Sequence, residues 1–591
     1  MGANAGQNIM DVRDLGISTE QGAPVLFGVD ISLKPGEIVG LTGPSGSGKS
    51  TLALALLGMV RRGLRFDGGA VRFEGHDLLA LGEAEIRTIR GRDIGLITQS
   101  PRAAFHPMLT IGRQIGRFWM SHTGGSKAAA RARAIEMLKR VGINDPARRV
   151  DAYIHELSGG MAQRALIALA LSTEPRLLIA DDPTSGLDVT VQAQFLDAMW
   201  KAARDVGTAM ILATQDRGVI ANYCDRVIEI RDGMITRKSS VRDYFAQASQ
   251  GGRDKNFERA DASSPVIIRV DGLRKTFPLR GTDKVVQAVD DLTLSIRAGE
   301  SLGLVGESGS GKSTAGRCIL GLLGRDRGVI EFDGSAIPAS GVALRQFRQR
   351  AQIVQQDPNE TFDPRWTIGH SLADPLRVHR VVPRAGIRRE VTRLVELVSL
   401  DPAVLDRRPR DLGAGTLQRL AIARALATQP DFLVLDEPTS VLAPEDCRII
   451  LDLLDNLCRD LNIAYLFISH DLTSIASACN RVAVMYLGQI VEVGVTGDIF
   501  NDPAHPYTQA LIAAYLEEDP YNRRVDRTVE AQLSSDIPSP VDLPPGCNLA
   551  PRCPRAEPAC HSETQVLEAA GNGRLVRCKP YMEELQTVGT E

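Results

Sequence analysis

GESGSGKST, from Gly306 to Thr314, matches the phosphate-loop pattern G-x-x-x-x-G-K-[ST]. An apolar run that we predict as a strand precedes it (Ser301 to Val305), and a predicted helix follows it (Ala315 to Leu323). Its three glycines let backbone N–H groups turn towards a polyphosphate. Lys312 can reach the outer phosphates, and the hydroxyl of Ser313 can ligate Mg²⁺. The stretch therefore predicts a phosphate-binding loop in an α/β fold.

The same pattern occurs earlier, as GPSGSGKST from Gly43 to Thr51, after two strand-like segments at 24–33 and 37–42. The two phosphate-loop lysines, Lys49 and Lys312, are 263 positions apart. Further on, the offset between matching residues is constant at 255 positions, as in Asp181 and Asp436, Gln215 and His470, and Cys224 and Cys479. This regularity indicates a tandem duplication of one domain.

The length of 591 residues predicts several domains. We place the first at 8–246 and the second at 266–518, called the first and second halves below. A polar linker at 247–265 joins them, and a C-terminal extension covers 519–591. With 69 basic against 72 acidic residues, the chain lacks the basic excess of a nucleic-acid-binding protein. The sequence shows neither a signal peptide nor a membrane-spanning apolar run, which predicts a cytosolic chain.

Each half carries the same ordered motifs after its phosphate loop. A glutamine lies beside a proline-containing loop (Gln99, Gln356), and an arginine-rich helical region follows. Next come LSGGMAQR at 157–164 or its counterpart containing LGAG, then an apolar strand with two acidic residues, and finally ATQD or ISHD. This order resembles two fused nucleotide-binding domains of an ABC transporter. The resemblance covers about residues 8 to 518 and implies an α/β fold with a mainly parallel sheet, a small antiparallel part and a helical subdomain in each half.

Residue chemistry and the resemblance together assign roles in the second half. Asp436, at the end of an apolar strand, can hold Mg²⁺ with Ser313 and Gln356, and Glu437 can orient and deprotonate the attacking water. His470 would contact the γ-phosphate. Phe277 would stack on adenine, although a strand-end core residue is the alternative. The residues expected to bind ATP phosphates are Gly306, Ser308, Gly309, Ser310, Gly311, Lys312, Ser313 and Thr314.

The resemblance also implies that the two halves pair head to tail within the chain, so that LSGG of one half completes the nucleotide site of the other. One composite site would join the second-half phosphate loop to Ser158, Gly159 and Gly160, and all its parts follow the family pattern. The other would join the second-half residues Gly413 and Gly415 to a first-half set made of Gly43, Ser45, Gly46, Ser47, Gly48, Lys49, Ser50, Thr51, Gln99, Asp181, Asp182 and Gln215.

Six departures from the family pattern fall on that second composite site: Thr19, Asp182, Gln215, Gly413, Ala414 and Ala443. Asp182 withdraws the carboxylate by about one methylene relative to glutamate, and a misplacement near 1 Å can cost roughly 100-fold in rate. Gln215 can form hydrogen bonds but cannot carry a proton or a positive charge as histidine can. We therefore expect this site to bind ATP and to hydrolyse it slowly or not at all.

Four of the nine cysteines are clustered near the C-terminus: Cys547, Cys553, Cys560 and Cys578. Such clustering in a cytosolic chain indicates a metal site, although the C-x₂-C spacing usual for structural zinc is missing. Together with HPYTQAL at 505–511, IPSP at 537–540 and DVTVQAQ at 188–194, this segment resembles the oligopeptide and dipeptide importer ATPases. That resemblance implies a [4Fe–4S] cluster; zinc and unligated or redox-active thiols are the alternatives.

Two functions remain open from the sequence. The first is the energising subunit of an importer of peptides or related solutes, peripheral on the cytoplasmic face of the inner membrane. It would need ATP, Mg²⁺, two transmembrane permease subunits and an extracytoplasmic solute-binding protein. The alternative is a soluble tandem ABC ATPase acting on ribosomes or DNA. The short linker, balanced charge and importer-like tail favour the first. The solute, whether a peptide, glutathione or a nickel chelate, is not determined.

Overall fold

The computed structural model describes residues 8–588 except 45, 99–100, 144, 158, 185–186, 247–262, 280, 282, 441, 443, 528–532 and 534–537. Four predicted site residues, Ser45, Gln99, Ser158 and Ala443, lie outside the described part. The chain divides into two compact units. Unit 1 consists of Met1–Arg253 and Ala514–Glu530, and unit 2 consists of Asp254–Ala513 and Ala531–Glu591.

Unit 1 alternates strands and helices. Its strands are β1 (Met10–Thr19), β2 (Pro24–Leu33), β3 (Ile38–Thr42), β4 (Leu64–Phe73), β5 (His76–Asp77), β6 (Ile94–Ile97), β7 (Leu177–Asp181), β8 (Ala209–Ala213), β9 (Arg226–Arg231) and β10 (Met234–Ser240). Its helices are α1 (Lys49–Ala55), α2 (Glu83–Ile89), α3 (Pro101–Ala104), α4 (Ile111–Thr123), α5 (Lys127–Arg140), α6 (Pro146–Arg149), α7 (Gly159–Leu171), α8 (Val189–Val206), α9 (Arg217–Tyr223) and α10 (Val241–Ala246).

Two sheets organise unit 1. One is antiparallel in the order β2-β1-β4-β5. The other has the order β10-β9-β3-β8-β7-β6 and is parallel except for β10. All five residues of β3 and of β8 are buried, as expected for strands covered on both faces. The segment 514–530 contributes Leu516 and Val525 to the apolar core of this unit.

Unit 2 repeats this plan and adds C-terminal elements. Its strands are β11 (Val266–Pro278), β12 (Val285–Arg297), β13 (Ser301–Val305), β14 (Arg327–Phe332), β15 (Ser335–Ala336), β16 (Ala351–Val354), β17 (Phe432–Asp436), β18 (Ala464–Ile468), β19 (Arg481–Tyr486), β20 (Gln489–Val495), β21 (Glu568–Ala569) and β22 (Leu575–Val576). Its helices are α11 (Lys312–Ile319), α12 (Gly341–Arg350), α13 (Ile368–Val378), α14 (Ile387–Leu397), α15 (Ala414–Leu426), α16 (Pro444–Leu461), α17 (Leu472–Ala478), α18 (Thr496–Asn501), α19 (Pro506–Ala514) and α20 (Lys579–Val588).

The main sheet of unit 2 has the order β16-β17-β18-β13-β19-β20-β22-β21. The run from β16 to β19 is parallel, and β20 and the hairpin of β21 and β22 extend it with antiparallel pairs. A second, antiparallel sheet has the order β12-β11-β14-β15. The predicted α/β fold with tandem phosphate-loop domains is confirmed. The C-terminal hairpin pairs with the edge of the main sheet through β20 and β22.

The helix after the second phosphate loop differs from its predicted bounds. It runs over Lys312–Ile319, so it begins three residues before Ala315 and ends four before Leu323. Gly311 has φ of 104°, a left-handed conformation that turns the chain into the helix inside the motif itself. At the other end, Gly321 has φ of 60° and stops the helix, although the apolar pattern continues.

Candidate functional site

Three neighbouring parallel strands bring the predicted second-half residues to one edge of the sheet. β13 lies beside β18, and β18 lies beside β17. The phosphate loop follows β13, Glu437 follows β17, and His470 lies two residues beyond the end of β18. Because the carboxyl ends of parallel strands meet at the same edge, residues distant in sequence converge there.

The glycines of the second phosphate loop are required by its backbone geometry. Gly306, Gly309 and Gly311 have φ values of 153°, 76° and 104°. A Cβ atom at Gly306 would lie 2.1 Å from the carbonyl oxygen of Met485, and one at Gly311 would lie 1.9 Å from that of Ala288. Any side chain at either position would therefore collide with the main chain of a neighbouring strand.

Lys312 and Ser313 are already oriented by the loop. The buried Nζ of Lys312 donates to the carbonyl oxygens of Gly306 at 2.7 Å and Glu307 at 2.8 Å. The hydroxyl of Ser313 donates to Oδ1 of Asp436 at 2.7 Å. Burial raises the pKa of Asp436 above its ordinary value, and the hydrogen bond from Ser313 opposes that rise. Hydroxyl and carboxylate oxygens are ligands that suit Mg²⁺, so this pair fits the predicted metal position.

Glu437 joins the other predicted catalytic residues. Its Oε1 lies 3.0 Å from Nδ1 of His470, and its Oε2 accepts a hydrogen bond of 3.0 Å from Nε2 of Gln356. Burial alone would raise the pKa of Glu437, but the hydrogen bond and charge of His470, with the charge of Lys312, lower it below its ordinary value. The same hydrogen bond raises the pKa of His470. The structure thus gathers Gln356 and His470 around one carboxylate.

Phe277 lies near the end of β11 and is 37% exposed. Its ring is 5.4 Å from Nζ of Lys275. The ring is thus partly exposed, and its stacking on adenine stays a prediction.

The first-half loop has the same local geometry. Gly43, Gly46 and Gly48 have φ values of 150°, 79° and 105°, close to those of the second loop. Nζ of Lys49 donates to the carbonyl oxygen of Gly43 at 2.6 Å, and the hydroxyl of Ser50 donates to Asp181 at 3.0 Å. Burial lowers the pKa of Lys49, and the charges of Asp182 and Asp181 oppose that change.

The residues that depart from the family pattern lie at equivalent places in unit 1. Asp182 follows β7 as Glu437 follows β17, and both have left-handed backbones with φ of 46° and 50°. Gln215 lies beyond β8 with an exposed side chain. The hydroxyl of Thr19, at the end of β1, accepts a 3.0 Å hydrogen bond from the N–H of Ala23 and so belongs to a turn.

The helices that begin at LSGG and LGAG, α7 and α15, contact different residues at one position that is not among the predicted site residues. In the first half, a Cβ atom at Gly160 would lie 3.0 Å from Cγ1 of Val191. In the second half, a Cβ atom at Gly415 would lie 2.3 Å from Cγ of Asp446. Asp446 therefore places a carboxylate beside Gly415, in the first turn of α15. Val191 and Asp446 are also 255 positions apart, so the repeat comparison could have identified this difference.

The four C-terminal cysteines line one cavity of about 60 Å³ together with His505. Burial raises the pKa of the Cys547 and Cys553 thiols, and it raises that of Cys578 to about 11. Within the described ranges, no three His, Cys, Asp or Glu side chains are grouped so that they could hold a metal ion. The predicted [4Fe–4S] cluster is therefore not supported by any metal-binding group among the described residues.

Comparison with known proteins identifies the family. The sequence model described as "ABC transporter" matches residues 26–185 and 289–440, and the model "Oligopeptide/dipeptide transporter, C-terminal region" matches residues 491–560. The two phosphate loops and their acidic strand ends define a nucleotide-hydrolysing α/β protein with a repeated site. The chain belongs to the ABC transporter family and is an ATPase.

Individual relatives extend over most of the chain. It is similar to the peptidoglycan transport ATP-binding protein YejF of Agrobacterium fabrum, with 39% identity over 86% of this chain and 96% of the relative. It is also similar to the glutathione import ATP-binding protein GsiA of Pectobacterium atrosepticum, with 36% identity over 90% and 93%. Among solved structures, cbiO1 of Clostridium perfringens, part of the ABC transporter complex cbiONQ, matches 40% of this chain and 92% of its own, at 26% identity and a TM-score of 0.37.

Among the residues that the structure describes, no helix is both long enough and apolar enough to cross a membrane.

Proposed function

We propose that the chain is the ATP-hydrolysing subunit of an importer for peptides or related small solutes, with one competent and one degenerate ATP site. The observation that carries the proposal is the convergence of Gln356 and His470 on Glu437 beside the second phosphate loop. The family membership supplies the transport role, and relatives named for glutathione import and peptidoglycan transport support the solute class.

The chemistry follows from these contacts. Glu437 has a lowered pKa, so it is anionic near neutral pH and can accept a hydrogen bond from the attacking water. Because such a carboxylate is weakly basic, Glu437 contributes mainly by orienting the attacking water. The hydrogen bonds from His470 and Gln356 hold the Glu437 side chain in place. Ser313, Asp436 and Gln356 would hold Mg²⁺, which neutralises charge on the phosphates during transfer. Lys312 would move from the loop carbonyls to the outer phosphates.

We assign the competent site to the second-half phosphate loop together with the first-half LSGG motif. The two halves would pair head to tail. The degenerate site would combine the first-half loop with Gly413 and Gly415. Asp446 supports this assignment because a carboxylate at the N-terminus of α15 repels a phosphate that approaches the same N–H groups. A valine occupies this position in the first half.

The partners follow from the role of an importer ATPase. We propose two transmembrane permease subunits, an extracytoplasmic binding protein that delivers the solute, and a peripheral location on the cytoplasmic face of the inner membrane. The alternative, a soluble tandem ATPase acting on ribosomes or DNA, is disfavoured by the match of residues 491–560 to the C-terminal region of peptide transporters.

The test is purification of the tagged full chain from detergent-solubilised membranes of its own host. We expect two integral membrane proteins to co-purify, and we expect ATP hydrolysis by the assembled complex to rise when binding protein loaded with glutathione or a short peptide is added. The Glu437→Gln chain, carried through the same purification, controls for contaminating ATPases. Recovery only from the ribosomal or DNA-bound fraction would instead support the alternative.

For the C-terminal segment, we propose that the thiol cavity holds a [4Fe–4S] cluster. The support is the four-cysteine donor set around one space. Anaerobic purification followed by iron, sulfide and zinc analysis decides the matter: about four irons per chain are expected, and zinc or no metal would refute the cluster.

A further inference from the structure

Glu307, the second residue of the second phosphate loop, is a buried carboxylate. Only 4% of its surface is exposed. Its Oε2 atom lies 3.4 Å from Nη1 of Arg552, whose side chain is 3% exposed. A buried charge is costly unless it is paired, so each of these residues depends on the other.

Two tyrosines complete the contact between the loop and the tail. The backbone N–H of Glu307 donates a 3.0 Å hydrogen bond to the hydroxyl of Tyr507, and Nη1 of Arg552 donates one of 3.4 Å to the hydroxyl of Tyr486. The two tyrosine rings pack with their centroids 4.6 Å apart. Glu307 is thus fixed through both its side chain and its main chain.

The first-half phosphate loop adopts the same backbone shape with a different residue at this position. Pro44 occupies the position of Glu307, and a proline ring restricts φ without needing any partner. The glycine conformations of the two loops agree within a few degrees, and Lys49 contacts the carbonyl oxygen of Pro44 as Lys312 contacts that of Glu307. The Glu307 side chain is therefore not needed to form this loop shape. Its distinguishing feature is the bond to Arg552.

Arg552 comes from the cysteine-rich tail. Its N–H donates to the carbonyl oxygen of Leu549 in a turn, and Cys553, which follows it directly, lines the thiol cavity. Next to this turn, Nδ2 of Asn548 donates to the carbonyl oxygen of Leu487, just after β19. The bond from Asn548 therefore fixes the tail beside the end of β19, and the Arg552 side chain contacts the phosphate loop from there.

We propose that Arg552 is a positioning residue for ATP binding, which holds the second phosphate loop through Glu307 and makes nucleotide affinity at that loop dependent on the cysteine-rich tail. The first-half loop, with Pro44, has no such dependence. The tail thereby acts on one of the two ATP sites.

The test uses the full chain carrying Lys49→Ala, so that only the second-half loop binds tightly, and a fluorescent ATP analogue with Mg²⁺. Arg552→Met should weaken binding about 10-fold, within the roughly 2- to 150-fold range of coupled neighbours. Arg552→Lys, which keeps the charge, should recover most of the affinity. In a Glu307→Ala background, which removes the carboxylate but keeps the N–H that bonds to Tyr507, adding Arg552→Met should change the dissociation constant less than about 2-fold.

Arg574→Met is the matched control, because Arg574 is also a poorly exposed tail arginine but pairs with Glu492, at 3.0 Å. It should lower the unfolding temperature without changing the dissociation constant. An equal loss of affinity in Arg574→Met would show general loosening of the tail and overturn the proposal. So would unchanged affinity in folded Arg552→Met. If Arg552→Met does not fold on its own, the Glu307→Ala pair decides: a further large loss of affinity on adding Arg552→Met contradicts the proposal.

Discussion

Nδ1 of His470 lies 3.0 Å from Oε1 of Glu437, linking the residue after β17 to the turn after β18. The bond connects the group expected to orient the attacking water with the group expected to contact the γ-phosphate. At the equivalent positions of unit 1, the residues are Asp182 and Gln215. Neither the longer carboxylate nor a protonatable partner is present there, which is the chemical basis for expecting unequal sites.

Glu437→Gln should lower steady-state ATP hydrolysis by at least about 100-fold, equivalent to about 2.7 kcal/mol of transition-state stabilisation. The amide keeps the size of the side chain but cannot accept the proton or orient water as a carboxylate does. The measurement is phosphate release by the assembled transporter. Asp182→Asn is the matched control and should cost much less. Equal losses in both variants would show that both sites turn over or are strictly coupled.

The pair formed by His470 and Glu437 should make stability depend on pH. The raised pKa of His470 means that its contribution is complete below its unfolded pKa of about 6.5 and is lost as pH rises through the folded value. The lowered pKa of Glu437 means that its contribution is present above about pH 4.3 and is lost as pH falls through the folded value. The pair should therefore stabilise most between these two limits.

Thermal unfolding of the nucleotide-free chain between pH 6 and pH 9 tests this dependence. The unfolding temperature of the unmodified chain should exceed that of His470→Gln near pH 6, and the difference should shrink towards pH 9. His76→Gln, which changes an exposed histidine of unit 1, should show no such convergence. A difference that grows with pH would contradict the sign of the effect.

Asp446→Val should strengthen nucleotide retention at the site that we propose to be degenerate, because it removes a carboxylate from the N-terminus of α15 and introduces the residue found in the first half. The experiment measures ATP bound per chain, and its rate of release, in a Glu437→Gln background where hydrolysis at the other site is suppressed. Asp452→Val, an exposed change farther along α16, is the control. Faster release from Asp446→Val than from the control would refute the repulsive role of Asp446.

Arg524→Met should destabilise unit 1 by about 1.5–3 kcal/mol, the range for hydrogen bonds to charged groups. The Arg524 side chain is 6% exposed and bonds to Asp197 at 2.9 Å, while its backbone N–H donates to Oδ1 of Asn222 at 2.7 Å. Hydrogen–deuterium exchange should increase in α9 and in the segment 514–530. Arg527→Met, on the same segment but with a 42% exposed side chain, should leave exchange in α9 unchanged. Equal exchange in the two variants would show that the segment is not needed for α9.

The local sequence pattern was sufficient to predict the strands and loops that carry the residues of the candidate site. The strand at Ser301–Val305, the phosphate loops and the acidic strand end at Asp436 all follow from motif and hydrophobic run, because short-range sterics and burial determine them. The constant offset of 255 exposed the duplication and placed Asp182 and Gln215 opposite Glu437 and His470. By itself, the sequence determined the family, the phosphate-loop chemistry and the residue differences between the halves.

Only the tertiary structure decided which distant residues meet. Glu307 and Arg552 are 245 positions apart, and no periodicity relates a carboxylate in a glycine-rich loop to an arginine in a cysteine-rich tail. The local sequence pattern likewise does not predict that residues 514–530 belong to unit 1, or that Asp446 lies close to Gly415. Such contacts depend on how the packed elements bring buried charges and backbone groups within bonding distance, and burial and pairing energies become defined only once the chain has folded.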